Sequence, residues 1–167
     1  MKLCFVTNNK NKLSEVSSIL KNVKIISLED IGFYEDILET GSSLKENSEL
    51  KAKCIYEKFN IDCFADDTGL EIDLLNGEPG VYSARYAGNR SNSEDNIDLV
   101  LKKMKNSKNR NAQCRTIITL YLDSKVYFFD GSVNGKISYH PIGNFGFGYD
   151  SIFIPQGYDI TFAQMNA

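Results

Sequence analysis

The sequence predicts an α/β domain with a mixed sheet, and three observations carry that prediction. Early in the chain, apolar strand-like runs alternate with segments of helical periodicity, while later the strands crowd together with turn residues between them. The composition is globular, with 167 residues, 42% of them hydrophobic and 25% charged. A chain of this size buries nearly ~70% of its unfolded surface and suits one domain, with two small lobes as the upper limit.

Residues 2–6 form a short apolar run that reads as a buried strand. Thr7 to Lys12 is polar and loop-forming, and Leu13, Val16, Ile19 and Leu20 then recur at helical spacing, so a helix starts near Asn11. Val23 to Leu28 predicts a second strand. Residues 29–42 are irregular and acidic, ending in Glu39-Thr40-Gly41-Ser42. Ser43-x-x-Glu46 forms a capping-box pattern that opens a helix running to about Phe59. Cys63 to Ala65 is a third buried strand, ending in Asp66-Asp67. Leu70, Ile72 and Leu74 alternate with other residues in a further extended segment before the turn cluster at 76–80.

A second capping box, Ser91-x-x-Glu94, precedes a helix whose apolar face is Ile97, Val100, Leu101 and Met104. The basic stretch Lys102 to Asn111 reads as a solvated linker. Ala112 to Leu122 is the longest strand candidate. Lys125 to Val133 and Gly135 to Ser138 predict two more strands, with Asn134-Gly135 as the hairpin turn between them. Residues 143–150 form a glycine-aromatic loop, Ile152 to Ile154 a short strand, and the stretch from Thr161 a helix start.

Several classes are disfavoured by composition. No run approaches the ~18 apolar residues of a membrane span, and the N-terminus has too short an apolar stretch for a signal peptide. With 19 Lys+Arg against 22 Asp+Glu the net charge is −3, so the chain lacks the basic footprint of a generic nucleic-acid coat. Cys4, Cys54, Cys63 and Cys114 form no Cys-x-x-Cys pair, which disfavours a structural zinc site and fits buried thiols in a reducing cytosol. His140 is the only histidine, and no nucleophile motif accompanies it.

The acidic and lysine clusters are richer. A loop entering a helix at Thr7 to Lys12 suits a phosphate through its backbone N–H groups, with Lys10 and Lys12 adding charge, although an ordinary capped helix explains the same residues. Asp66-Asp67-Thr68-Gly69 stands at a strand end, where open α/β sheets place ligands, and Mg²⁺ takes one or two carboxylates plus substrate phosphates. A turn or helix-cap pair is the alternative. Glu39 lies on a loop from which it can reach a metal, whereas Glu46 equally serves the capping box. Arg85 suits a buried ion pair or a phosphate contact.

Five motifs occur in order: Thr7-Asn8-Asn9-Lys10-x-Lys12-x-x-Glu15; Glu39-Thr40-Gly41-x-Ser43-x-x-Glu46-Asn47-x-x-x-Lys51-Ala52; Ala65-Asp66-Asp67-Thr68-Gly69-Leu70-x-x-Asp73; Gly77-x-Pro79-Gly80-Val81-Tyr82-Ser83-Ala84-Arg85-Tyr86-Ala87-Gly88; and Gly146-Phe147-Gly148-Tyr149-Asp150. Together they closely resemble the Ham1 family of inosine/xanthosine triphosphate pyrophosphatases, over essentially the whole chain. The resemblance implies a long mixed sheet flanked by helices, in two lobes with a central cleft. It implies a cytoplasmic homodimer that acts on a small-molecule nucleoside triphosphate and not on a nucleic-acid polymer or a membrane. The activity implied is Mg²⁺-dependent cleavage of non-canonical purine nucleoside triphosphates (ITP, dITP, XTP) to the monophosphate and pyrophosphate.

By motif position, the resemblance makes Asp67 the catalytic carboxylate and a metal ligand, with Glu39 a second ligand. Thr7, Asn8, Asn9, Lys10, Asn11, Lys12 and Lys51 would hold the triphosphate, with Thr68 beside it. Phe147, Gly148, Tyr149 and Asp150 would face the base. Ser151 stands where the family usually has proline, and Gln164 where Glu is common. Family members carry a further segment with a lysine and a Ser-His-Arg motif that recognises purine carbonyls. The sequence holds neither, so residues 1–167 are expected to be a single domain of this type lacking the C-terminal helix segment, with weak discrimination of ITP from ATP. A Maf-like pyrophosphatase of different base preference and a catalytically impaired nucleotide-binding protein are the alternatives.

Overall fold

The structure is a computed structural model that describes residues 1–165, so the end of the expected helix start at Thr161, residues Asn166 and Ala167, lies outside the described residues. The elements are β1 (Lys2–Phe5), α1 (Lys10–Ile19), β2 (Lys24–Ile26), α2 (Leu44–Phe59), β3 (Cys63–Ile72), α3 (Ser93–Lys103), β4 (Asn111–Leu122), β5 (Lys125–Ile137) and β6 (Phe153–Pro155). Single 3₁₀ turns lie at Glu29–Ile31, Asp73–Leu75 and Phe162–Gln164, and a longer one at Gly80–Arg85. The strands form one sheet in the order β2-β1-β3-β4-β5-β6. β1 runs parallel to both β2 and β3, and β6 antiparallel to β5, so the sheet is mixed as the sequence predicts.

Contacts divide the chain into two compact units. The first comprises residues 1–67 and 116–130, the second residues 68–115 and 131 onward. In the first, period-2 alternation sends Cys4, Val6, Cys63 and Ala65 to one face with Ala52 and Ile55 of α2. It sends Leu3, Phe5 and Phe64 to the other, against half-buried Leu13 and Val16 of α1. Phe5 and Phe64 stack with centroids 4.5 Å apart. The second unit packs Leu70 and Ile72 with Ile97, Val100 and Met104 of α3, and with Ile137, Ile152 and Phe153.

Five expectations need correction. The strand expected to end at Ala65 is continuous with the segment at Leu70, so Asp66 and Asp67 lie inside a ten-residue strand. What ends there is its neighbour: β1 pairs with β3 only through Phe5↔Phe64 and stops. The second expected strand shortens to Lys24–Ile26, because the Ser27 N–H and hydroxyl both donate to Asp30 Oδ2. The hairpin expected at Asn134-Gly135 is absent, and β5 runs straight through. The chain reverses instead at Asp123-Ser124, where both residues have positive φ (49° and 59°), as a two-residue hairpin loop needs. Gly135 serves close approach: a Cβ there would stand 2.3 Å from the Ile154 carbonyl oxygen of β6. The second capping box forms one residue later, between Asn92 and Asp95. Finally, Arg110 in the expected solvated linker is buried. Its guanidinium donates to the carbonyls of Met104, Ile137 and Ser138, and sits 4.6 Å from the Tyr139 ring centroid.

All four cysteines are free thiols. Burial pushes Cys4 up to about 11 and Cys63 and Cys114 up to about 12, which makes them unreactive.

Candidate active site

Asp66 and Asp67 are consecutive on a strand, so their side chains leave opposite faces of β3. Asp66 meets Lys12 of α1, with Nζ 2.5 Å from Oδ2. Asp67 meets α2, accepting from the side-chain amide of Asn47 at 3.2 Å and lying 3.5 Å from Lys51 Nζ. Each carboxylate is only 8% exposed, and each is matched by its own lysine. The two carboxylates thus pair with different helices, Asp66 with α1 and Asp67 with α2.

Glu39 joins Asp67 through Lys51, whose Nζ is 2.6 Å from Glu39 Oε1. Asn47 and Lys51 are one turn apart on α2 and share a face. The fully buried Asn47 side chain also accepts the Gly41 N–H at 2.8 Å, which ties the loop carrying Glu39 to the helix. Ser43 caps α2 as expected, but the Glu46 carboxylate reaches one residue further back and takes the Ser42 N–H and hydroxyl. Those bonds hold Glu46 below its usual range. Burial raises Asp67 above its ordinary value, opposed by Lys51, reinforced by Glu39, and opposed again by Asn47 and Lys12.

The Thr7 to Lys12 loop enters α1 as a capped helix. The Asn9 side chain accepts from the N–H groups of Asn11 and Lys12, so these two donors are already engaged. Thr7 Oγ1 accepts the Asn9 N–H, and Asn8 donates to Asp36. Lys10 and Asn11 are exposed. Lys12 brings the loop's charge to Asp66 of β3, and Thr68 is exposed.

In the second unit the glycine-aromatic loop closes on itself. Phe147 N–H donates to Asp150 Oδ2 at 2.9 Å, and Asp150 N–H donates to the Phe147 carbonyl. Gly146 has φ +74°, and a Cβ there would stand within 2.1 Å of Asp150 Oδ2, so the carboxylate occupies the space glycine leaves. Burial raises the Asp150 carboxyl. The loop is clamped by Ala163, which donates its N–H to Asp150 and accepts from Asn144 and Phe145. Gln164, where a Glu is common, still closes a capping box with Thr161.

Tyr149 packs against the core of its unit, and its hydroxyl donates to the Ser83 carbonyl at 2.8 Å. Ser83 Oγ in turn accepts the Leu70 N–H of β3 and donates to Gly80. Phe147 and Gly148 are half-buried. Arg85 lies 5.3 Å from the Tyr82 ring centroid. A separate open groove of about 630 Å³, lined by residues that include Asp73, Gln113, Asn134, Lys136 and Tyr158, holds none of these site residues.

Sequence reasoning gave Asn47 and Ser83 no role. Asn47 is legible in its spacing from Lys51. Ser83 is not, because its partners lie 13 and 66 residues away.

The profile of the Ham1 family matches residues 3–167. A dITP/XTP pyrophosphatase of Flavobacterium johnsoniae is 52% identical over 166 residues, covering 99% of this chain and 86% of that protein. Further relatives carry the same name. Among solved structures, the Staphylococcus aureus Ham1 protein superposes with a TM-score of 0.89 at 37% identity, covering 99% of this chain and 87% of that one. A HAM1 protein from Coxiella burnetii gives 0.90 at 31% identity, with the same coverage. With its fold and its whole length matched in this way, the chain belongs to the Ham1 family.

Proposed function

We propose that this chain is a nucleoside-triphosphate pyrophosphatase that cleaves non-canonical purine nucleotides such as dITP, ITP and XTP to the monophosphate and pyrophosphate. The observation that carries the reading is the buried Asp67 carboxylate joined to Glu39 through Lys51, in a chain whose relatives are named dITP/XTP pyrophosphatases.

The donor set fits a divalent metal, and Mg²⁺ in particular. Glu39 and Asp67 present hard carboxylate oxygens close enough to share one ammonium. Mg²⁺ takes one or two protein carboxylates and completes its shell with water and substrate phosphates. When bound, the metal supplies charge neutralisation on the polyphosphate.

The remaining work falls to the protein's own groups. Asp67 orients a water and takes its proton, a task helped by burial that lifts its basicity. The water oxygen bonds to the α-phosphorus while the bond to the α–β bridging oxygen breaks, and pyrophosphate leaves. Lys12 and Lys51 hold phosphate charge, with Thr7 to Asn11 and Thr68 shaping the approach. Asn47 fixes Asp67 and the Glu39 loop together. Phe147 offers its face to the purine, and Gly148 lets backbone approach the base edge. Tyr149 and Asp150 support that loop from beneath.

A homodimer is supported by β5, where Val126, Tyr127, Phe128, Phe129 and Val133, shared between the two faces of the strand, are each 40–53% exposed and offer apolar surface for a second copy. A cytoplasmic setting fits the four free thiols. Among the described residues no helix is long and apolar enough to cross a membrane. Pyrophosphate release from ITP, XTP, dITP, ATP, GTP and TTP, with and without Mg²⁺, tests the assignment. Metal-dependent release from the first three supports it, and no release from any of them overturns it.

A further inference from the structure

Lys51 is the most enclosed cation of the first unit's site, its side chain 13% exposed. Its Nζ lies 2.6 Å from Glu39 Oε1 and 3.5 Å from Asp67 Oδ1. Lys12 does not share this place, because it stands against Asp66 on the opposite face of β3. Glu39 and Asp67 therefore meet a divalent cation as two carboxylates already bridged by an ammonium. Two cations cannot share the space between two such oxygens, because like charges repel strongly in a partly buried site. A polyphosphate changes the balance. It gives Lys51 other anionic oxygens to hold, and it gives the metal the ligands that the protein lacks.

We propose that Lys51 is an internal counter-ion that guards the Glu39–Asp67 pair against free divalent metal and yields it when a polyphosphate takes the lysine, so that metal and triphosphate bind as a coupled pair. The proposal rests on Glu39 and Asp67 being the metal-binding carboxylates. It gives Lys51 two opposed effects: it strengthens polyphosphate binding and weakens binding of metal alone. A lysine that only touches phosphate has the first effect and not the second. By linkage, metal and polyphosphate raise each other's affinity by one common factor, about 5–150-fold in typical coupled sites.

The test uses Mn²⁺ as the metal probe, with free Mn²⁺ read by electron paramagnetic resonance, on folded protein checked by circular dichroism. Lys51→Met and Lys51→Gln remove the charge and Lys51→Arg keeps it. The neutral variants are expected to bind Mn²⁺ alone at least about fivefold tighter than wild type. Lys51→Arg is expected to stay near wild type, and an α,β-methylene triphosphate analogue to bind the neutral variants more weakly. Mn²⁺ affinity unchanged or reduced in both neutral variants overturns the proposal, whatever happens to the analogue. In wild type alone, equal analogue affinity with and without metal also overturns it. If Mn²⁺ binds no form of the protein even with the analogue present, the assignment of Glu39 and Asp67 as metal ligands falls as well.

Discussion

Around Asp67 the first unit is held by charge. Asp66, Asp67 and Glu39 face Lys12 and Lys51 over distances of 2.5–3.5 Å. Around Phe147 the second unit is held almost without charge. A tyrosine hydroxyl on a carbonyl, a backbone N–H on Asp150 and the Ala163 clamp fix the loop. The contrast follows from what each region is proposed to read. A polyphosphate is recognised as charge, which falls off slowly and tolerates mobile lysines. A base is recognised by a flat face and by directional donors and acceptors, which demands a rigid frame.

Substitutions can break this contrast, and the largest effect belongs to Asp67. Asp67→Asn is expected to lower kcat by about 10²–10⁴-fold, the range of general-base assistance, with circular dichroism unchanged. Near-normal turnover would remove Asp67 from the chemistry. Next come the lysines. Lys12→Ala and Lys51→Ala are expected to weaken triphosphate binding by about tenfold, the worth of a charged hydrogen bond, and equally for ITP and GTP. Steady-state kinetics on both nucleotides decides this, and a loss confined to one base would contradict a phosphate role.

Tyr149→Phe sharpens the other side. It keeps the ring and deletes the bond to Ser83. KM is expected to rise a few-fold, about 1 kcal/mol for a neutral hydrogen bond, more than kcat falls, with faster amide exchange at 143–150. An unchanged exchange rate there would show that the hydroxyl does not brace the loop.

The smallest effect concerns Asp150 and pH. Its folded value is raised by burial, so its favourable contribution is complete below the ordinary value of 3.8 and is lost as pH rises through the raised one. At neutral pH the fold carries the cost of a buried charge. Asp150→Asn keeps an oxygen for the Phe147 N–H and removes that charge. Its Tm is expected to exceed wild type by about 2 °C at neutral pH, with the gap narrowing on acidification. A Tm deficit that is constant across pH would contradict this.

Much of this was legible in the sequence, for identifiable reasons. Helical periodicity located α1 and α3, and Ser43 announced α2 through a local cap. The motif residues Glu39 and Asp67 both stand within ion-pair reach of Lys51. Illegible features depended on neighbours distant in the chain. β3 continues past Ala65 beside β4, and its paired register with β1 reaches only to Phe5↔Phe64. Asn134-Gly135 mimics a hairpin turn, yet Gly135 answers to the backbone of Ile154. The split of Asp66 and Asp67 onto opposite faces was implicit in strand alternation, but only for a strand that continues through them.

The most direct test is the identity of the products. Incubation of wild-type protein with dITP and Mg²⁺, followed by ³¹P NMR, should show dIMP and pyrophosphate in equal amounts, with no dIDP. Appearance of dIDP with orthophosphate, or unchanged dITP, would contradict a pyrophosphatase built on Asp67 and Glu39.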